Sequence, residues 1–261
     1  MAKQLDFTVG SIPKKMLSFA VPIFLANLLQ TSYQLIDSLW VGNLLGADAL
    51  AALAISGSVI FTVLSFIIGV NNATLTVLSQ KKGADDEEGL KEALNGFVFV
   101  LGILAIVLGC LGIVFAPALL RLLGAPGNVL PLAVVYLRIN FTGILFLFGY
   151  NFISTVLRAL GDSRSPIRFV LMAVILNALL VPIFIKGFGF GIQGAAYSTV
   201  IAQGFSFIYG LIFSIKKAKV PFAIPRPPGM ANFNMLMRLG LPSGLQMMAI
   251  SGGSAAITSV A

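Results

Sequence analysis

The 261-residue chain has no histidine, one cysteine and only nine acidic side chains. Without histidine there is no imidazole metal ligand and no imidazole general base. The lone cysteine, Cys110, excludes an intrachain disulfide and a cysteine-cluster metal site. Charge of either sign is scarce. Asp, Glu, Lys and Arg together make up 10% of the chain, against roughly a quarter in an ordinary soluble domain. A phosphate-binding loop ending in Gly-Lys-Ser/Thr is also missing, which argues against an internal ATP motor.

What fills the chain instead is apolar. Hydrophobic residues account for 58% and the mean hydropathy is +0.99. They run in blocks of about twenty or more, the length that crosses a bilayer core as a helix. The runs lack the ten-residue alternation of a membrane barrel. The expected fold is an all-α polytopic membrane protein. Punctuation by Gly, Pro and charge places helices at about 15–42, 48–80, 91–120, 127–158, 165–185 and 191–216, with a seventh from 233 to the chain end. The first apolar run, from Met16, is too long for a signal-peptide core and reads as a retained span.

The net charge of +8 could suggest nucleic-acid binding, but the placement of the basic residues argues otherwise. Lys3, Lys14 and Lys15 precede the first helix, and Lys81, Lys82 and Lys91 lie between the second and third. Arg158, Arg164 and Arg168 surround the next turn on the same side, followed by Lys216, Lys217, Lys219, Arg226 and Arg238. Fourteen of the 17 basic residues are thus on one side, Arg121 and Lys186 are on the other, and Arg138 is inside a span. That bias expects the N-terminus in the cytoplasm and no nucleic-acid partner. The mixed run from Gln80 to Lys91 reads as a solvated turn.

The segment around 217–232 carries Pro221, Pro225, Pro227 and Pro228 and reads as a stiff cytoplasmic linker. The pattern Met16-Leu17-Ser18-Phe19-Ala20-Val21-Pro22 returns beyond it as Leu236-Met237-Arg238-Leu239-Gly240-Leu241-Pro242. Six helices separate the copies, so both point the same way, as in a parallel repeat. The expected organisation is a six-helix lobe at 1–216, the linker at 217–232, and the first helix of a truncated second lobe at 233–261.

Eight of the nine acids fall in expected loops, ends or caps; only Asp37 lies well inside a span. A carboxylate at membrane depth costs on the order of 3 kcal/mol or more and is a functional candidate by default. Asn27, Gln30, Gln34 and Asp37 fall within an arc of about 80° at 100° per residue. This polar stripe, with Tyr33 beside it, must face other helices or a water-filled cavity. A second stripe, Thr62, Ser65, Gly69, Asn72 and Thr76, reads first as a helix-packing surface. Asn177, and the Thr199, Gln203 and Ser206 face, read alone as interhelical hydrogen bonds. Tyr136 and Arg138 are interface anchors or cavity residues. Pro22 should kink the first helix and could serve as a hinge.

At this point the sequence resembles the multidrug and toxic compound extrusion (MATE) transporters, in their prokaryotic DinF-like branch. The likeness rests on Pro22-Ile23-Phe24, on Asp37-Ser38-Leu39-Trp40-Val41-Gly42, and on Gly46 through Ala52. It rests equally on Tyr136-Leu137-Arg138-Ile139 and Leu157-Arg158-Ala159-Leu160-Gly161-Asp162-Ser163-Arg164-Ser165-Pro166. It covers the chain, but only the first half of a typical twelve-helix member. The resemblance implies a proton- or sodium-coupling acid at Asp37, with Gln30 and Pro22 as its polar neighbour and bending proline. It implies supporting roles for Asn177, Thr199 and Tyr136. Many members carry a second acid four residues after the asparagine, where this chain has Val181.

A lone carboxyl in an apolar cavity favours proton uptake over a sodium ion, which wants several oxygens and more negative charge. Sodium would be held, if at all, by Asp37, Asn177 and Thr199. The expected function is an inner-membrane, proton-coupled antiporter extruding amphipathic, often cationic, small molecules, with no cofactor beyond the coupling ion. It is not expected to be an enzyme, since a hydrolase would need a nucleophile–base pair. A lipid-linked-precursor flippase and a non-transporting membrane scaffold are the competing readings. A flippase should carry several intramembrane Arg or Lys, and Arg138 is the only candidate. A scaffold would not need the stripe. The chain is not expected to transport without a second lobe, from the same chain or another.

Overall fold

A computed structural model of the chain describes residues 11–222, 234 and 238–251. The described residues form helices α1 (Ile12–Leu45), α2 (Ala47–Gly83), α3 (Glu87–Leu122), α4 (Leu130–Thr142), α5 (Ile144–Ala159), α6 (Ser165–Pro182) and α7 (Ile192–Lys216). A π-helical turn, Ile183–Gly187, extends α6, and a further helical segment covers 238–251. No strand occurs among the described residues. Five of these helices are long and apolar enough to span a membrane, and α4 with α5 makes a sixth, broken span. The all-α polytopic fold expected from the apolar blocks is the one observed.

The short connections are built from the residues that punctuate the sequence. Gly46 alone joins α1 to α2, with φ 84°, a left-handed conformation that glycine adopts without strain. Asp86 caps α3 by accepting from the Gly89 amide at 2.8 Å. The same carboxylate pairs with Lys81 at 2.6 Å, tying the end of α2 to the start of α3. The Lys81 ammonium and the Gly89 amide hold its carboxyl below the usual carboxylate range. Asp162 starts α6 by accepting from the Ser165 hydroxyl at 2.6 Å and from the Ser165 and Arg164 amides. These two acids are helix caps and not ligands.

The span expected to run unbroken over 127–158 is instead bent by 52° between Thr142 and Ile144. Gly143 sits at the bend, and a Cβ there would run into the Val200 side chain of α7. Close approach of two helices, which needs a glycine on one of them, wins over the continuous apolar pattern. By contrast α1 passes through Pro22 as a single helix.

The first described stretch beyond α7 folds back, with Val220 buried and its amide donating to the Ser214 carbonyl at 3.0 Å. The rest of the proline-rich linker, at 223–233, and residues 1–10, 235–237 and 252–261 lie outside the described residues. The described part of the seventh helix packs on α2. A Cβ on Gly69 would meet the Ser243 carbonyl, and Ser251 donates to the Ser65 hydroxyl at 2.6 Å. Ser65 and Gly69 of the second polar stripe are therefore a helix-packing surface, as their spacing suggests. Asn72 and Thr76 are exposed.

The core is centred on α6 and α7, against which α1, α5 and α4 pack. Phe97, Phe169, Leu137 and Leu157 are among its fully buried side chains. Large apolar side chains line the outside, including Phe24, Leu35 and Leu39 on α1, Ile106 and Val114 on α3, and Phe205 on α7. An apolar exterior is what lipid requires.

Arg138, in the middle of α4, repairs a backbone defect. Pro117 in α3 has no N–H to give to the carbonyl four residues earlier, which is that of Ile113. Arg138 Nε donates to that carbonyl at 3.1 Å. Arg138→Gln should therefore cost about 1–2 kcal/mol in stability, the cost of an unpaired carbonyl in an apolar setting. In a Pro117→Ala background, where the amide is restored, the cost should largely vanish. Thermal unfolding of the four variants in detergent checks this, and equal losses in both backgrounds would refute the pairing.

Candidate functional site

Helix α1 is built inside out relative to a soluble helix. Of its 34 residues, only Pro22, Asp37 and Val41 are buried among those whose side chains are described. Many of its large apolar side chains, such as Leu17, Phe24, Leu35 and Leu39, are exposed, while its one acid faces in. Asp37 is 5% exposed. Burial of a carboxyl beneath an apolar exterior is tolerated only where partners or a cavity receive it.

Both are present. A cavity of about 360 Å³ is lined by Gln30, Tyr33, Gln34 and Asp37 from α1, Tyr136 and Asn140 from α4, and Thr199 and Gln203 from α7. Asp37 is the one acidic side chain among its described lining residues. The bend at Gly143 lets both Tyr136 and, on the far side of the bend, Leu147 reach this space. The Tyr136 hydroxyl donates to Asp37 Oδ2 at 3.4 Å, a long contact. Asn140 Nδ2 braces the Tyr136 carbonyl at 2.9 Å.

Behind Asp37 lies Asn177 of α6, fully buried and close enough for its amide to interact with the carboxyl. Asn177 Nδ2 donates to Thr199 Oγ1 at 3.3 Å, and Thr199 Oγ1 donates to the Ala195 carbonyl at 3.1 Å. Tyr33 and Tyr136 both come within reach of Thr199. Three buried atoms of the cluster have no hydrogen-bond partner: Asp37 Oδ1, Asn177 Oδ1 and the Tyr33 hydroxyl. Two of them are acceptors only. Unpaired buried acceptors are costly unless a proton or cation serves them. The arrangement can therefore hold a proton, or a small cation with oxygen ligands. Val181, one turn beyond Asn177, is fully buried and leaves Asp37 without a second carboxyl there.

The structure thus brings together five residues singled out by the sequence: Tyr33, Asp37, Tyr136, Asn177 and Thr199. Gln30 and Gln34 share the same cavity. Asn27, the first member of the stripe, is exposed and lines a second cavity, to which Gln30 also belongs. Pro22 is buried about fifteen residues before Asp37, some 22 Å along the helix. Ser206 donates to the Phe169 carbonyl of α6 at 2.8 Å, an interhelical hydrogen bond of the expected kind. Asn140 was not legible as a site residue, although its place four residues after Tyr136 puts it on the same face. Asn71 was missed as well. It is 4% exposed, whereas its neighbour Asn72, which fits the helical spacing, is exposed.

Comparison with known proteins agrees with this architecture. The family model described as MatE matches residues 22–183. The chain is 56% identical over 258 residues to the probable multidrug resistance protein YpnP of Bacillus subtilis, covering 99% of this chain and 58% of that one. It is 33% identical over 259 residues to the probable multidrug resistance protein YoeA of the same organism, covering 95% and 56%. A solved structure of a multidrug resistance MATE family transporter in an outward-facing conformation superimposes with a TM-score of 0.87. It shares 26% identity and covers 96% of this chain and 56% of its own. The chain thus spans a little over half the length of these relatives. The match over most of its helices, together with the identity to YpnP, shows that the chain belongs to the MatE family, whose members are membrane transporters and not enzymes.

Proposed function

We propose that this chain forms the ion-coupling half of a secondary antiporter that extrudes amphipathic, often cationic, small molecules, and that the coupling ion is a proton. The observation that carries the reading is Asp37, a buried carboxyl with one unpartnered oxygen, opening onto a polar cavity under an apolar exterior. Deprotonated, it offers the only negative charge among the cavity's described lining residues to a cationic substrate. Protonated, it is neutral and releases that substrate. Tyr136, whose hydroxyl lies 3.4 Å from Oδ2, positions the carboxyl, with Asn177 behind it. Coupling follows if proton and substrate bind the inward- and outward-facing states differently.

A proton is favoured over sodium because the cluster combines one carboxyl with neutral oxygens only. Sodium would have to be held by Asp37, Asn177 and Thr199 with a single charge among them. Pro22 is assigned as a hinge of α1, since it leaves the carbonyl of Ser18 without its helical partner and softens the helix there. A second six-helix lobe, from the same chain or another, completes the cavity. The bias of basic residues toward one set of turns in the sequence supports an N-terminus on the cytoplasmic side of the cytoplasmic membrane.

The test uses proteoliposomes of the complete transporter, with pH and sodium gradients imposed separately. Asp37→Asn keeps the shape but cannot titrate. It should lower proton-driven efflux at least tenfold while leaving membrane abundance unchanged; undiminished efflux would refute the assignment. Efflux by the unaltered protein driven by a sodium gradient at equal pH would overturn the choice of ion. Val181→Asp restores a second carboxyl beside Asn177 and should introduce sodium stimulation where none was present. Persistent indifference to sodium in that variant would show that charge number does not decide the ion.

A further inference from the structure

A second cavity, of about 250 Å³, lies against the other half of α1, nearer the end of the bundle that carries the basic turns. It has the volume of roughly eight liquid water molecules. Its lining is polar on three sides. Asn27 and Gln30 come from α1, Asn71 and Asn72 from α2, and Arg158 and Ser163 from the end of α5 and the turn that follows. It contains no acidic side chain among its described lining residues, so its only formal charge is positive.

That charge is not balanced within the described residues. Arg158 takes part in no ion pair among the described residues. Arg158 donates through Nη2 to the Thr155 hydroxyl at 2.9 Å, while its Nε is buried with no partner. The neighbouring acid, Asp162, does not line the cavity. Its oxygens accept from the start of α6. Two further atoms at the same wall are buried and unpartnered: the Ser163 hydroxyl and Asn71 Oδ1. Ser163 is 2% exposed and Asn71 is 4% exposed. The serine has a proton to donate, and a half-turn of the Asn71 amide presents its NH2 to the cavity in place of the oxygen. Other polar groups around the cavity are already engaged, Asn151 with the Leu147 carbonyl and Ser154 with the Tyr150 carbonyl. A half-buried cation whose Nε is buried without a partner, and a buried hydroxyl that lacks an acceptor, are costly, and a ligand rich in acceptor oxygens removes the cost.

We propose that this cavity is an oxyanion-binding pocket that takes a phosphate group against Arg158, with Ser163 and the amides of Asn71 and Asn72 completing the contacts. The guanidinium supplies the planar, always-charged fork suited to phosphate oxygens. The phosphate arrives either as a free ion or ester, or as the headgroup of a lipid entering beside Ile23 and Asn27 of α1, which also line the opening. The pocket is separate from the carboxyl of Asp37 and does not depend on that residue being the coupling group.

The test is carried out on the protein with whatever second half it carries in the membrane, purified into phosphatidylcholine nanodiscs without an ion gradient. One arm titrates inorganic phosphate, and the other a short-chain phosphatidylglycerol, with binding read by calorimetry. Saturable binding of phosphate, weakened at least tenfold in Arg158→Gln, supports a site for the free ion. Binding of the phosphatidylglycerol alone, with the same loss, supports a headgroup site. Arg158→Lys keeps the charge without the fork and should fall between the two. If Arg158→Gln fails to fold, Ser163→Ala should still weaken binding severalfold. Absence of binding in both arms, or affinities unchanged to within twofold in Arg158→Gln or Ser163→Ala, would overturn the proposal.

Discussion

The structure depends on one constraint: lipid cannot satisfy a carboxyl group, so Asp37, the acid set well inside a span, must turn inward. Helix α1 obeys it at the expense of ordinary amphipathicity. Many of its large apolar side chains, among them Phe24, Leu35 and Leu39, remain outside, and Asp37 occupies one of its three buried places among the described side chains. Everything around the cavity serves that carboxyl. The bend at Gly143 brings Tyr136 to it, α6 places Asn177 behind it, and α7 places Thr199 within reach of both. A cluster of this kind is stable only if its remaining oxygens are served part of the time by a proton or cation, which is the chemistry an ion-coupled transporter uses.

The same accounting governs the backbone. A membrane helix interrupted by proline has a carbonyl with no internal donor, and water is not at hand to replace it. The three prolines inside described spanning helices meet this in different ways. At Pro117 a distant side chain, Arg138, supplies the donor. At Pro182 the chain changes to a π-helical turn over Ile183–Gly187, and widened helical turns are a common response to such a gap. At Pro22 the helix continues. There the Ser18 carbonyl is left without its helical donor, which softens the helix and supports the proposed hinge. Arg138 is thereby engaged with the backbone through its Nε.

Features set by composition and local spacing were legible in the sequence. The apolar blocks announced the spans, and the 100° periodicity placed Gln30, Gln34 and Asp37 on one face before any neighbouring helix was known. The same rule grouped Asn72 with Ser65 and Gly69. There it succeeded for the two small residues and failed for the amides, because the side of α2 that meets the cavity is decided by how α1 and α5 pack, not by spacing along α2. Asn71, one residue away, became the buried amide. The bend at Gly143 was hidden for a similar reason. Nothing in a continuous apolar run says that Val200 of another helix will need the space of a missing Cβ. Long-range approach is invisible to periodicity, whereas its consequences, a glycine or an amide out of pattern, are visible once the approach is known.

The second polar stripe shows how such cases can be decided on physical grounds. Hydroxyls and glycines at helical spacing suit either a ligand path or close helix packing. At Ser65 and Gly69 the described part of the helix beginning the repeated pattern lies so near that a side chain on Gly69 would collide with the Ser243 backbone. The Ser65 hydroxyl, which donates to the Phe61 carbonyl, accepts from Ser251. A surface with no room for a methyl group has no room for a substrate. The two larger cavities along α1 do have space in front of their polar groups, and Gln30 borders both. A change in the course of α1 would therefore alter the two cavities together. If Asp37 binds the coupling ion as proposed, the shared helix is the element through which that binding would reach the polar groups of the second cavity.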